Sequence, residues 1–117
     1  MEAEPERAKL ADEYKEWRIW RNGSLLYGWL QPPGWRPLRL LAASVDGLRG
    51  QVELVAAVRD DFPEWEVWEH LTPALFYARR PRSSPPMVAG PVPLKDLYDA
   101  VKVVDDERQN RRGRMPG

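Results

Sequence analysis

The sequence predicts an α+β chain: two tandem strand–strand–strand–helix (βββα) repeats packed as one pseudo-symmetric domain, an antiparallel sheet with helices on one face, and a short N-terminal helix. Three observations lead there. Residues 16–20 read Glu16-Trp17-Arg18-Ile19-Trp20 and residues 64–68 read Glu64-Trp65-Glu66-Val67-Trp68, one E-W-x-[IV]-W pattern at an offset of 48. Leu26-Tyr27-Gly28 then matches Phe76-Tyr77-Ala78 at an offset of 50. Further on, Leu48 and Val52 match Leu97 and Val101 at an offset of 49. The register drifts only in the loops, as an internal duplication should.

The elements follow in order. Residues 1–15 are a charged segment with a helix over 5–15, whose sizeable apolar residues are Leu10 and Tyr14. The first repeat covers 16–63. Residues 16–21 alternate as a strand, and Asn22-Gly23 signals a tight hairpin with both residues at the centre of a type I′ turn. Leu25–Leu30 returns, Pro32-Pro33-Gly34 breaks the strand, and 37–43 form a third. Ser44 or Asp46 caps a helix reaching about Asp60. The second repeat covers 64–110, with strands at 65–70, 74–80 and 87–89. A helix from Pro93 to Asn110 follows, with proline at its tolerant first position. Residues 111–117 read as a disordered basic tail.

Alternation sends Trp17 and Ile19 to one face and Arg18 and Trp20 to the other, with the same division of Trp65 and Val67 from Glu66 and Trp68. Both faces thus carry tryptophan. One face takes the helix, through the Leu48, Val52, Val55 and Phe62 stripe. The other must be covered by the second repeat, a second chain or a ligand. Arg18 and Arg21 in the first copy become Glu66 and Glu69 in the second. If those strands pair antiparallel, Arg18 faces Glu69 and Arg21 faces Glu66. Such exposed pairs contribute about 0.2–1 kcal/mol each and would select register.

Composition narrows the chemistry. Lys+Arg and Asp+Glu both number 18, so no basic surplus points to nucleic acid. With no cysteine and one histidine, disulfides, thiol catalysis and most zinc sites are excluded. The acidic start lacks the apolar run of a signal peptide, and no segment matches a membrane span. A cytoplasmic protein is expected, and the scarcity of isoleucine beside abundant arginine suggests a GC-rich bacterial source. No phosphate-binding loop, nucleophile elbow or metalloprotease motif is present. His70 beside Glu69 is a strand-end pair pointing to opposite faces, and Asp60-Asp61 and Asp105-Asp106-Glu107 read as solvated helix ends.

The expectation is therefore a non-catalytic binding or adaptor protein, with no cofactor or metal, presenting an aromatic surface to a protein partner or to itself as a homodimer. Trp20, Trp29, Trp35 and Trp68 would carry it. The alternative is a nucleic-acid-binding accessory factor. Its residues would be Arg79, Arg80 and Arg82 beside the Phe76-Tyr77 strand, and Arg111, Arg112 and Arg114 in the tail. The βββα order of each repeat resembles the three-stranded DNA-binding domains of phage-type integrases, a likeness of element order that implies the same alternative. A second alternative is a small-molecule pocket between the repeats.

Overall fold

The computed structural model describes the backbone of residues 3–69, 75–81 and 87–113 and, within these, the side chains of residues 5–107. The elements are α1 (Ala3–Glu13), β1 (Trp17–Asn22), β2 (Leu25–Leu30), β3 (Leu38–Ala42), α2 (Val45–Asp61), β4 (Glu66–Glu69), β5 (Phe76–Arg80), β6 (Met87–Val92) and α3 (Leu94–Gly113). The strands form two antiparallel sheets, β1-β2-β3 and β4-β5-β6, instead of one. The chain divides into two compact units, Met1–Ala56 and Ala57–Gly117, each containing one sheet.

In the first unit, β1 alternates because every second residue meets the core. Trp17 and Ile19 are buried while Arg18 and Trp20 are exposed. The hairpin forms as expected, but its register pairs Asn22 with Leu25. The turn's central residues are therefore Gly23-Ser24, one step beyond the expected Asn22-Gly23. Gly23 takes the positive φ of 65° that a tight hairpin needs at its first central position. This register also sets Trp20 across from Tyr27 and Trp17 across from Leu30, joining aromatic to aromatic and core to core.

Ser44 caps α2, its Oγ accepting from the Gly47 amide at 3.0 Å. Leu48, Val52 and Val55 are fully buried, as the stripe requires. Gly28 marks the close approach of helix and sheet: a Cβ there would sit 3.3 Å from the Trp17 ring and 3.4 Å from Leu48. Both free edges of this sheet meet side-chain donors. Arg7 on α1 donates to the Ile19 carbonyl of β1 at 3.0 Å, and Gln51 on α2 donates to the Leu41 carbonyl of β3 at 2.7 Å. Edge carbonyls held this way are poorer templates for another strand. Leu10 on α1 is fully buried, and Glu13 pairs with Arg49 of α2. That hydrogen bond from Arg49 holds the Glu13 carboxyl below the usual carboxylate range.

In the second unit, Trp65, Val67, Ala78, Ala89, Leu97 and Val101 are buried, and α3 packs on β5 and β6. The expected antiparallel pairing of β1 with β4, which would set Arg18 against Glu69 and Arg21 against Glu66, is not made. β1 is hydrogen-bonded to β2 in one sheet and β4 to β5 in the other, and Glu66 bonds to Arg79 across its own sheet. Each strand thus pairs with its hairpin neighbour, the short connection winning over a distant partner. β6 runs to Val92, past the expected Ala89. A register shift bulges it opposite Phe76 and Ala78, where Gly90 adopts φ 97°. A Cβ on Gly90 would lie 2.5 Å from the Phe76 carbonyl oxygen, so only glycine fits. Pro91 is tolerated because β6 is an edge strand and needs no outward amide.

Pro93 stands just outside α3, its carbonyl accepting from the Asp96 amide at 2.9 Å. The helix continues to Gly113, so residues 111–113 are helical where a tail was expected. Arg and Gln favour the helix, and no breaker interrupts it before that glycine. Residues 70–74, His70 among them, Arg82 and residues 114–117 lie outside the described residues.

Candidate functional site

The strand registers turn the outer face of the first sheet into ordered rows. In β1–β2, Arg18 lies opposite Trp29 and Trp20 opposite Tyr27. In β2–β3, Trp29 lies opposite Arg39 and Tyr27 opposite Leu41. Directly opposed residues share a face. One row is therefore Arg18–Trp29–Arg39 and the next is Trp20–Tyr27–Leu41. The Trp20 and Tyr27 rings stack with centroids 5.4 Å apart and 9° between planes. Trp20 remains 41% exposed and Leu41 38%, high values for large apolar side chains. Trp29 and Tyr27 are half-buried, and Arg18 and Arg39 are exposed.

The second sheet repeats part of this plan with different chemistry. Glu66 lies opposite Arg79, Trp68 opposite Tyr77, and Arg79 opposite Val88. Trp68 and Tyr77 stack at 5.3 Å with 30° between planes. Arg79 Nη2 donates to Glu66 Oε1 at 2.8 Å, and its guanidinium carbon lies 5.1 Å from the Trp68 ring centroid. Glu66 is only 2% exposed. A carboxylate that deep requires such a partner, since burial of a lone charge costs several kcal/mol by ordinary solvation arguments.

Of the four expected aromatic residues, Trp20 and Trp29 share the first sheet's outer face, and Trp68 holds the corresponding place on the second sheet. Trp35 sits in the turn after β2, half-buried, its amide donating to the Pro32 carbonyl at 3.2 Å. Arg79 and Arg80 are drawn into ion pairs with Glu66 and Glu64, so both face carboxylates rather than presenting a basic strip. Arg111 and Arg112 fall on α3, but their side chains, like Arg82 and Arg114, are outside the described residues. Sequence reasoning missed Arg39 and Leu41. Their signal was the alternation of Leu38-Arg39-Leu40-Leu41-Ala42, which sends both away from the buried Leu38, Leu40 and Ala42.

A cleft of about 320 Å³ opens in the second unit, lined by Asp61, Phe62, Glu64, Trp65, Arg80 and Asp105. Glu64 is held by Arg80, and Asp61 accepts a hydrogen bond from the Tyr98 hydroxyl. That bond, helped by slight burial, raises the Tyr98 phenol above its ordinary value. Among the described residues, no group of His, Cys, Asp or Glu is placed to hold a metal ion, and no helix is long and apolar enough to cross a membrane. No protein-family model, curated protein or solved structure matches the chain.

Proposed function

We propose that the chain is a non-catalytic binding module, built from two copies of a βββα unit, that engages a protein partner or a second copy of itself through the outer face of the first sheet. The observation that carries this reading is the Trp20–Tyr27–Leu41 row. Its two end residues are large, apolar and exposed, and the stack holds Trp20 in a fixed orientation. A pre-ordered aromatic loses little freedom on binding, which is why tryptophan and tyrosine dominate interface energetics. The face offers stacking, apolar contact and guanidinium groups rather than a nucleophile paired with a base. Duplication is supported by a shared β-β-β-α order and by a Trp–Tyr stack at matching register in both sheets.

The test compares the wild type with Trp20→Ser/Leu41→Ser in sedimentation over a wide concentration range and in quantitative capture of cellular proteins. The control is Val103→Ser, which alters an exposed valine on α3. Self-association or specific capture should disappear in the double variant and persist in the control. A monomer with one and the same captured set in all three proteins would remove this face as the site.

A further inference from the structure

We infer that α1 is a releasable strap, which closes the β1 edge of the first sheet and comes away as one piece while the sheet stays folded. The strap lies along an edge rather than on the outer face, so it stands apart from the binding reading above.

The two units enter their sheets through the same joint, matched at an offset of 48. In the first, the Tyr14 amide donates to the Leu10 carbonyl at 3.0 Å and the Trp17 amide to the Tyr14 carbonyl at 2.9 Å. In the second, the Phe62 amide donates to the Val58 carbonyl at 2.7 Å and the Trp65 amide to the Phe62 carbonyl at 3.0 Å. Leu10 and Val58 are both fully buried, and so, nearly, are Trp17 and Trp65. α1 is thus to the first sheet what the last turns of α2 are to the second.

The helices that carry the joint differ in mooring. Before Val58, α2 buries Val45, Leu48, Val52 and Val55, so its joint belongs to a helix with a buried stripe of its own. α1 has eleven residues, and Leu10 is its one large apolar side chain. Two polar contacts add to that anchor: Arg7 donates to the Ile19 carbonyl at 3.0 Å, and Glu13 pairs with Arg49. Ion pairs near the surface contribute little, and a helix this short is not stable alone in water. Detached, α1 therefore also unwinds, and its release is a local unfolding.

The edges of the first sheet differ in the same way. Gln51, which holds the Leu41 carbonyl of β3, stands on the deeply buried α2, while Arg7, which holds the Ile19 carbonyl of β1, stands on the strap. One edge is closed by the core's own helix and the other by an element that can leave. Release uncovers β1, and an uncovered edge is where a sheet accepts a further strand.

Amide hydrogen exchange on the full chain, read residue by residue, tests this without any substitution. Corrected for intrinsic rates, the Tyr14 and Trp17 amides should exchange at least about tenfold faster than those of the central strand β2, and with little dependence on urea. The Phe62 and Trp65 amides should keep pace with those of β5. Two matched variants extend the test. Leu10→Asp should strip protection from Tyr14 and Trp17 and leave β2 slow to exchange, whereas Val58→Asp should unfold the second unit, with Phe62, Trp65 and β5 opening together. Tyr14 and Trp17 exchanging in step with β2 at one urea dependence would overturn the strap. A Leu10→Asp chain in which β2 is no better protected than Tyr14 would do the same. Phe62 and Trp65 opening as readily as Tyr14 and Trp17 would show that mooring makes no difference, and the assignment of release to α1 would fall.

Discussion

The outer faces of the two sheets share a strand register, Trp20 opposite Tyr27 and Trp68 opposite Tyr77, and differ in chemistry. The first presents Arg18–Trp29–Arg39 and Trp20–Tyr27–Leu41; the second presents Glu66–Arg79–Val88 and Trp68–Tyr77, and its third strand bulges at Gly90 where the first has a regular partner. In the second sheet a buried carboxylate answers the guanidinium, which also lies over the Trp68 ring. In the first sheet Arg18 and Arg39 are exposed on either side of the half-buried Trp29. Meanwhile the helix-facing positions scarcely differ: Trp17 and Trp65, Ile19 and Val67, Leu48 and Leu97, Val52 and Val101 are all buried. The inner faces answer to packing, which tolerates little change. The outer faces are less constrained by packing: the second pairs a buried carboxylate with a guanidinium, and the first sets exposed arginines around a half-buried tryptophan.

The most severe way to break this comparison is to remove an inner-face tryptophan. Trp65→Ala, at 1% exposure, and Trp17→Ala should each cost about 3–5 kcal/mol in urea unfolding. If one were tolerated, the two would not be equivalent core residues. The next contrast is between the charged rows. Arg79→Ala leaves Glu66 buried with less compensation and should cost about 2–3 kcal/mol, below the full cost of a broken buried pair because Arg79 is 32% exposed. Arg18→Ala should stay within about 0.5 kcal/mol, as for surface changes generally. Equal costs would show that the first row is as internally committed as the second. A smaller contrast lies in the stacks. Trp68→Ser loses the stack and the Arg79 cation contact, about 2 kcal/mol together, whereas Trp20→Ser loses the stack, about 1 kcal/mol.

Much of the architecture was legible because it follows from local pattern. Alternation fixed the faces of Trp17, Ile19, Arg18 and Trp20, and helical spacing found Leu48, Val52 and Val55. Strand partnership was harder. The inverted charges of Arg18/Arg21 and Glu66/Glu69 suggested cross-pairing between the copies, but charge pattern says nothing of loop closure, and each strand joined its own hairpin. The third strand of the second unit was expected to end at Ala89; it runs on through a bulge at Gly90, where the Phe76 carbonyl lies 2.5 Å from where a Cβ would be. The candidate face was half visible. Trp20 and Trp29 stood out by type, while Arg39 and Leu41 gained meaning only when the β2–β3 register set them beside Trp29 and Tyr27.

The last contrast between the units is in their response to pH, and it is the smallest in energy. In the first unit, the Arg49 hydrogen bond lowers the Glu13 carboxyl below its ordinary value of 4.5. A lowered group stabilises the fold above its unfolded value, and that contribution is lost as pH falls through the folded value. In the second unit, the hydrogen bond to Asp61 raises the Tyr98 phenol above its ordinary 10.0. A raised group stabilises the fold below its unfolded value, and that contribution is lost as pH rises through the folded one. Both groups lie at the surface, so salt should weaken each effect. Urea midpoints across the pH range give the measurement. The advantage of wild type over Glu13→Gln should shrink on the acid side, below about pH 4, and be level above it. The advantage over Tyr98→Phe should be level up to about pH 10 and shrink beyond it. Differences that stay constant at both extremes would mean that neither bond persists in solution. Shrinkage at one end alone would leave the comparison standing for that unit and refute it for the other.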